Sequence, residues 1–127
     1  MADDARASRQ ISSYKDLLVY LKSYELALEV HRMTLGFPDF ERFELGRQLR
    51  TASTSIAVNI AEGYGRRSSS ADFKRFLVMA TGSCDEVKVW LSFAGDLGYV
   101  SSEATEALTF RFEEVGKMLF ALHRNWR

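Results

Sequence analysis

The chain is short of most residues that break or staple a fold. Of its 127 residues one is cysteine, Cys84, one is proline, Pro38, and eight are glycine. A lone cysteine excludes an intrachain disulfide and suits a reducing, cytoplasmic setting. So few helix breakers favour long helices. No uncharged run approaches membrane-spanning length. The N-terminal stretch MADDARASRQ carries acids and no apolar segment, so it is not a secretory signal. The formal net charge is zero, which argues against a dedicated, strongly basic nucleic-acid binder. The two histidines, His31 and His123, lack the partner spacing of a metal motif such as His-Glu-x-x-His. No metal or cofactor is expected.

Four rows of apolar residues at steps of three and four are present instead. Leu17, Leu21, Tyr24, Leu28, His31 and Leu35 form the first row. Leu45, Leu49, Ala52, Ile56 and Ile60 form the second. Phe73, Leu77, Ala80, Cys84, Val87, Leu91 and Ala94 form the third, and Leu108, Phe112, Val115, Leu119, Leu122 and Trp126 the fourth. Such spacing keeps one helix face apolar. With no convincing strand run, the chain reads as an all-α, antiparallel up-down-up-down four-helix bundle. Its helices are predicted at roughly 17–36, 39–63, 70–97 and 102–126, in one domain from residue 14 to residue 127. Residues 1–13 are expected to form a polar, disordered leader.

The corners carry stop and start signals. Gly36-Phe37-Pro38 closes the first helix, Gly63 and Gly65 the second, and Gly98 the third. Ser69 through Asp72 resembles a capping box for the third helix, and Ser101 or Ser102 caps the fourth. The first helix carries further apolar residues on an adjoining face (Leu26, Val30, Met33). So does the third, with Phe76, Met79, Trp90, Phe93 and Leu97. One small bundle buries one stripe per helix, so these arcs predict a homo-oligomer.

Charge is unevenly placed. Between Arg42 and Arg75 seven basic residues face three acidic ones, a net +4. Between Asp85 and Glu114 seven acids face two bases, a net −5. An anionic partner, or self-association of unlike surfaces, would use this asymmetry. The segment NIAEGYGRRSSSAD concentrates it. It lacks the Gly-Lys-Ser/Thr ending and preceding strand of a nucleotide loop, so it reads first as a helix corner. Capping does not need its arginines. Arg66 and Arg67, with Arg47, Lys74 and Arg75, are therefore candidates for binding RNA or another polyanion.

Polar residues on apolar stripes form a second candidate set. Glu86 shares a stripe with Met79 and Trp90, and a carboxylate there should need a partner. A buried polar cluster is predicted to link Arg50 and Asn59 of the second helix to Ser83 and Glu86 of the third, fixing helix register. Cys84 reads as small apolar packing and Met79 as core filler. No pattern assembles a catalytic site, so no enzymatic activity is expected.

The residues FPDFERFELGRQLRTASTSIAVNIAEGYGRRSSSADFKRFLVMATGSCDEVKVWLSFAGDLGYV, with YKDLLVYLKSYELALEVHRMT upstream, resemble the four-helix-bundle family of 23S ribosomal RNA intervening-sequence proteins. The resemblance spans roughly residues 14–122 and is densest from Ser55 through Ser68. It implies an up-down bundle that assembles as a barrel-shaped homopentamer, like the related accessory proteins of diversity-generating retroelements. Those relatives are implicated in nucleic-acid and reverse-transcriptase binding, with a more basic surface than this neutral chain. The family brings no catalytic residues. The resemblance thus points to a scaffold or binding module; the competing expectation is an interaction oligomer with no nucleic-acid ligand, its arginines meeting Asp85, Glu103 or Glu106 of a neighbour.

Overall fold

The structure, a computed structural model, describes residues 10–127. Residues 1–9, most of the expected leader, lie outside the described residues. Among those described, all regular structure is helical. A 3₁₀ turn, Tyr14–Asp16, leads into α1 (Leu18–Thr34). A single helical turn, Asp39–Arg42, precedes α2 (Leu45–Gly65). Then follow α3 (Ser70–Asp96) and α4 (Ser102–Asn125). Contacts run from α1 to α2, α2 to α3, α3 to α4 and α4 back to α1, enclosing one core.

Side-chain caps start the helices as the sequence suggests. Ser69 Oγ accepts from the Asp72 N–H at 3.1 Å, and Ser101 Oγ accepts from the Ala104 N–H at 3.1 Å. Each satisfies an otherwise orphaned donor of a first turn. The 3₁₀ turn has its own capping box: Ser13 Oγ accepts from Lys15, and Asp16 accepts from the Ser13 N–H. At the end of α3, Gly98 takes φ +81°. The Tyr99 N–H then reaches the Ala94 carbonyl at 2.9 Å, and the Gly98 N–H the Gly95 carbonyl at 3.0 Å. This pair of bonds is a Schellman ending, and its left-handed residue favours glycine.

The rows predicted for α2, α3 and α4 meet in the core. Leu49, Ile56, Ile60, Phe73, Leu77, Val87, Leu91, Phe112 and Leu119 are all fully buried. Each contributes about 1.5–3 kcal/mol of burial free energy.

The first helix departs from its predicted row. Tyr24, Leu28, His31 and Leu35 are exposed, and the buried row is Val19, Ser23, Leu26, Val30 and Thr34. Two hydroxyl residues conceal that row from a hydropathy pattern. They are tolerated because each bonds backward within the helix. Ser23 Oγ donates to the Val19 carbonyl at 2.7 Å, and Thr34 Oγ1 to the His31 carbonyl at 2.9 Å.

Two further expectations are corrected. The second helix was expected to run unbroken from residue 39, but Phe43 and Glu44 interrupt it, Glu44 at φ −107° and ψ −91°. The helix does close at Gly65, as the glycine pair suggests, but not through the left-handed residue such a glycine ending usually uses: neither Gly63 nor Gly65 has positive φ. Gly63 serves packing instead. A Cβ there would lie 2.7 Å from Phe76 Cβ and 3.0 Å from Phe73 Cδ1.

Candidate functional site

The corner between α2 and α3 is built in four residues. The Arg66 N–H reaches the Gly63 carbonyl at 3.0 Å, the Arg67 N–H the Tyr64 carbonyl at 3.2 Å, and the Ser69 N–H the Arg66 carbonyl at 3.0 Å. This tight reversal leaves both arginine side chains exposed at the surface.

Aromatic rings hold the guanidinium groups. Arg66 lies over the Phe76 ring at 5.2 Å from its centroid, and Arg75 lies over the same ring at 4.8 Å. Arg67 lies 4.1 Å from the Tyr64 centroid and donates to the Tyr64 carbonyl at 2.9 Å. Stacking orders a guanidinium through its face while its N–H edges stay available. Arg67 is partly engaged, since it satisfies a carbonyl at the negative end of α2. Arg75 has a loose, exposed contact with Asp72 at 3.7 Å. Among the described residues Arg66 makes no ion pair.

The structure therefore gathers Arg66, Arg67 and Arg75 and separates the other two candidates. Arg47 lies near the opposite end of α2, about 28 Å away along the axis. Half-buried Lys74 shares the stripe of Val78, Thr81 and Asp85, the side of α3 that meets α4. The aromatic support of the arginines was the part missed from sequence. Its signal was present: Phe76 follows Arg75 directly, and Tyr64 lies three residues before Arg67.

The predicted polar cluster divides. Asn59 Nδ2 donates to the Ser55 carbonyl at 2.9 Å and to Ser55 Oγ at 3.0 Å, and the Ser55 and Ser83 hydroxyls meet at 2.9 Å. Asn59 and Ser83 are thus linked through Ser55, across α2 and α3. Glu86 is not part of this group. It is exposed and accepts from Trp90 Nε1 at 3.1 Å. Water solvates its carboxylate, so no buried partner is needed.

Arg50 is also elsewhere. Its Nη1 donates to Thr34 Oγ1 at 2.8 Å, and its Nη2 to the Arg42 carbonyl at 2.7 Å. The break at Phe43 and Glu44 brings that carbonyl within reach, and Arg50 ties the end of α1 to the start of α2. Arg50→Lys should lose the forked geometry while keeping the charge. We expect about 1–2 kcal/mol less stability in urea unfolding, from one charged hydrogen bond lost.

Two more groups bear on chemistry. Cys84 is buried, its Sγ lies 3.0 Å from the Phe112 carbonyl to which it donates, and burial pushes its thiol up to about 11. It is a packed thiol at neutral pH, not a nucleophile. Tyr99 donates to Glu41 Oε2 at 2.9 Å; desolvation, then the carboxylate beside it, raises its phenol above the ordinary range. Among the described residues no group of His, Cys, Asp and Glu side chains could hold a metal ion. No helix among them is long and apolar enough to cross a membrane.

The chain matches the family of 23S rRNA-intervening sequence proteins over residues 15–121. It is similar in structure to a protein of unknown function from the S23 ribosomal protein family of Bacteroides thetaiotaomicron. The TM-score is 0.75 at 25% identity, and the match covers 85% of this chain and 100% of that one. No curated protein matches it.

Proposed function

This chain belongs to the family of 23S rRNA-intervening sequence proteins, and we propose that it acts as a non-enzymatic, cytoplasmic homo-oligomer that binds RNA or another polyanion. The bundle is antiparallel, up-down-up-down, and presents its α2–α3 corner to the ligand. The observation that carries this reading is the arginine group at that corner, with Arg66 and Arg75 laid on one Phe76 ring. A guanidinium held in place loses less entropy on meeting a phosphate than a free one. Exposed apolar side chains support assembly: Phe40 is 70% and Phe43 64% exposed. Family resemblance suggests five copies, which would multiply the corner around a ring.

Titration of a structured RNA at several salt concentrations tests the ligand. Binding should weaken steeply with salt, as phosphate contacts release counterions. Arg66→Ala combined with Arg67→Ala should lower affinity and flatten the log–log salt slope by about one per lost phosphate contact. Unchanged affinity in the double variant, or no binding at low salt, overturns the polyanion reading. Sedimentation of the wild-type chain tests assembly separately, and a monomer at micromolar concentration removes it.

A further inference from the structure

Aromatic contacts between distant segments fix what lies at each end of the bundle. Trp126, just past α4, meets Phe73 edge-on at 4.6 Å and Tyr64 edge-on at 6.5 Å. Arg124 and Arg127 are one or two residues from Trp126, a span of at most about 7 Å. They therefore lie at the end of the bundle that holds the α2–α3 corner. At the other end Tyr99 donates to Glu41 at 2.9 Å and lies against Phe37, with ring centroids 5.5 Å apart. This ties the α3–α4 corner to the α1–α2 corner.

Charge divides along the same line. Residues 62–75 and 124–127 carry six bases and two acids. Residues 39–47 and 96–106, at the other end, carry six acids and two bases. The neutral chain is thus polarised along the bundle, and its field draws an anion to one end and repels it from the other. Arg124 and Arg127 are exposed and make no ion pair among the described residues. Arg124 lies over the Phe120 ring at 5.7 Å, the kind of support that Arg66 and Arg75 receive from Phe76. Lys74 falls between the two groups. It lies one turn before Val78, which lines a cleft with Phe120 and His123 of α4.

We infer that the polyanion surface is this whole end of the bundle, with Lys74, Arg124 and Arg127 joining Arg66, Arg67 and Arg75. Its ligand is a nucleic-acid strand that presents several consecutive phosphates. Neighbouring helix axes lie roughly 8–10 Å apart, so one phosphate cannot reach bases on α2, α3 and α4 at once, and a strand can. The negative end of α4 accounts for a base in its last turn. It does not account for an excess of bases gathered from three helices. This inference rests on the proposed polyanion reading and enlarges its site.

Two charge-matched double variants of the full chain test it, by titration with a structured RNA at several salt concentrations. Arg124→Ala with Arg127→Ala removes two bases at this end. Arg32→Ala with Arg47→Ala removes two exposed bases away from it. The first should weaken binding and flatten the log–log salt slope by about two, one per lost phosphate contact. The second should leave the slope unchanged. A nucleoside monophosphate at equal phosphate concentration should not displace the RNA. Equal effects of the two double variants, or displacement by the monophosphate, overturn the inference. A lowered affinity in Arg66→Ala with Arg67→Ala would then leave the polyanion reading standing. If neither the corner variant nor the α4 variant changes binding, both are overturned. Helical circular dichroism checks folding, and should the α4 variant unfold, Arg124→Gln with Arg127→Gln repeats the test.

Discussion

Phe73→Ala should cost about 3–5 kcal/mol, the range for deleting a buried aromatic ring. That is a large share of the roughly 5–15 kcal/mol that holds a domain together. Phe73 is fully buried at the start of α3. Its ring meets Trp126 edge-on at 4.6 Å and Tyr64 edge-on at 6.2 Å, so three elements converge on it. Alanine would leave a void that these rigid neighbours cannot fill by small shifts. Thermal unfolding at matched protein concentration should show the melting temperature down by about 4 °C for each kcal/mol lost. The concentration must match because the proposed self-assembly would itself raise apparent stability. A loss under about 1 kcal/mol, below the usual aromatic deletion, would mean that the corner is not packed as described. A functional effect should follow, since Tyr64 supports the Arg67 guanidinium. RNA affinity should fall with stability in Phe73→Ala, whereas Arg66→Ala should lower affinity alone.

The residues that sequence reading placed correctly share one property: their side chains state their environment. In α2, α3 and α4 the buried rows found from sequence consist of Leu, Ile, Val, Phe, Ala and Cys, and the apolar period identifies them directly. In α1 the core row includes Ser23 and Thr34, whose hydroxyls bond to carbonyls of their own helix. The exposed row of Tyr24, Leu28 and Leu35 is the more apolar of the two. Periodicity alone therefore selects the outer face. The error follows from composition, because the core row of this helix is less hydrophobic than the exposed row beside it. The polar set failed for a different reason. Stripe logic places Glu86 one turn from Ser83, but whether the carboxylate is buried depends on what α2 presents opposite it. Small Ser55 leaves room for a hydroxyl contact with Ser83, and Glu86 lies beyond it in solvent. Of the partners of Arg50, Thr34 closes α1 and the Arg42 carbonyl is presented by a backbone break that no residue pattern announced.

Gly63→Val should destabilise the bundle by about 3 kcal/mol, the upper end of overpacking costs, while Gly65→Ala should stabilise it by about 0.4–1 kcal/mol. In sequence the two glycines look like one signal, a pair closing a helix. Their surroundings are opposite. The nearest obstacle to a side chain at Gly63 is Phe76 Cβ, at 2.7 Å, with Phe73 Cδ1 and its carbonyl close behind. A Cβ is anchored to its backbone and cannot swing aside as a side-chain tip can. Relief therefore requires α2 and α3 to part, at a level where Phe73 and Phe76 are both buried. The gain in helix propensity over glycine, at most about 1 kcal/mol, is too small to offset that. At Gly65 a new Cβ would meet nothing within 4 Å, and the backbone is already helical. Alanine there restricts the unfolded chain at no native cost. Urea unfolding of the two variants separates these effects by sign. If Gly63→Val proved neutral, the close approach of α2 to α3 would be wrong, and with it the placement of Phe76 beneath Arg66 and Arg75. The proposed polyanion site and the helix packing would then fail together, because one short interhelical distance sets both.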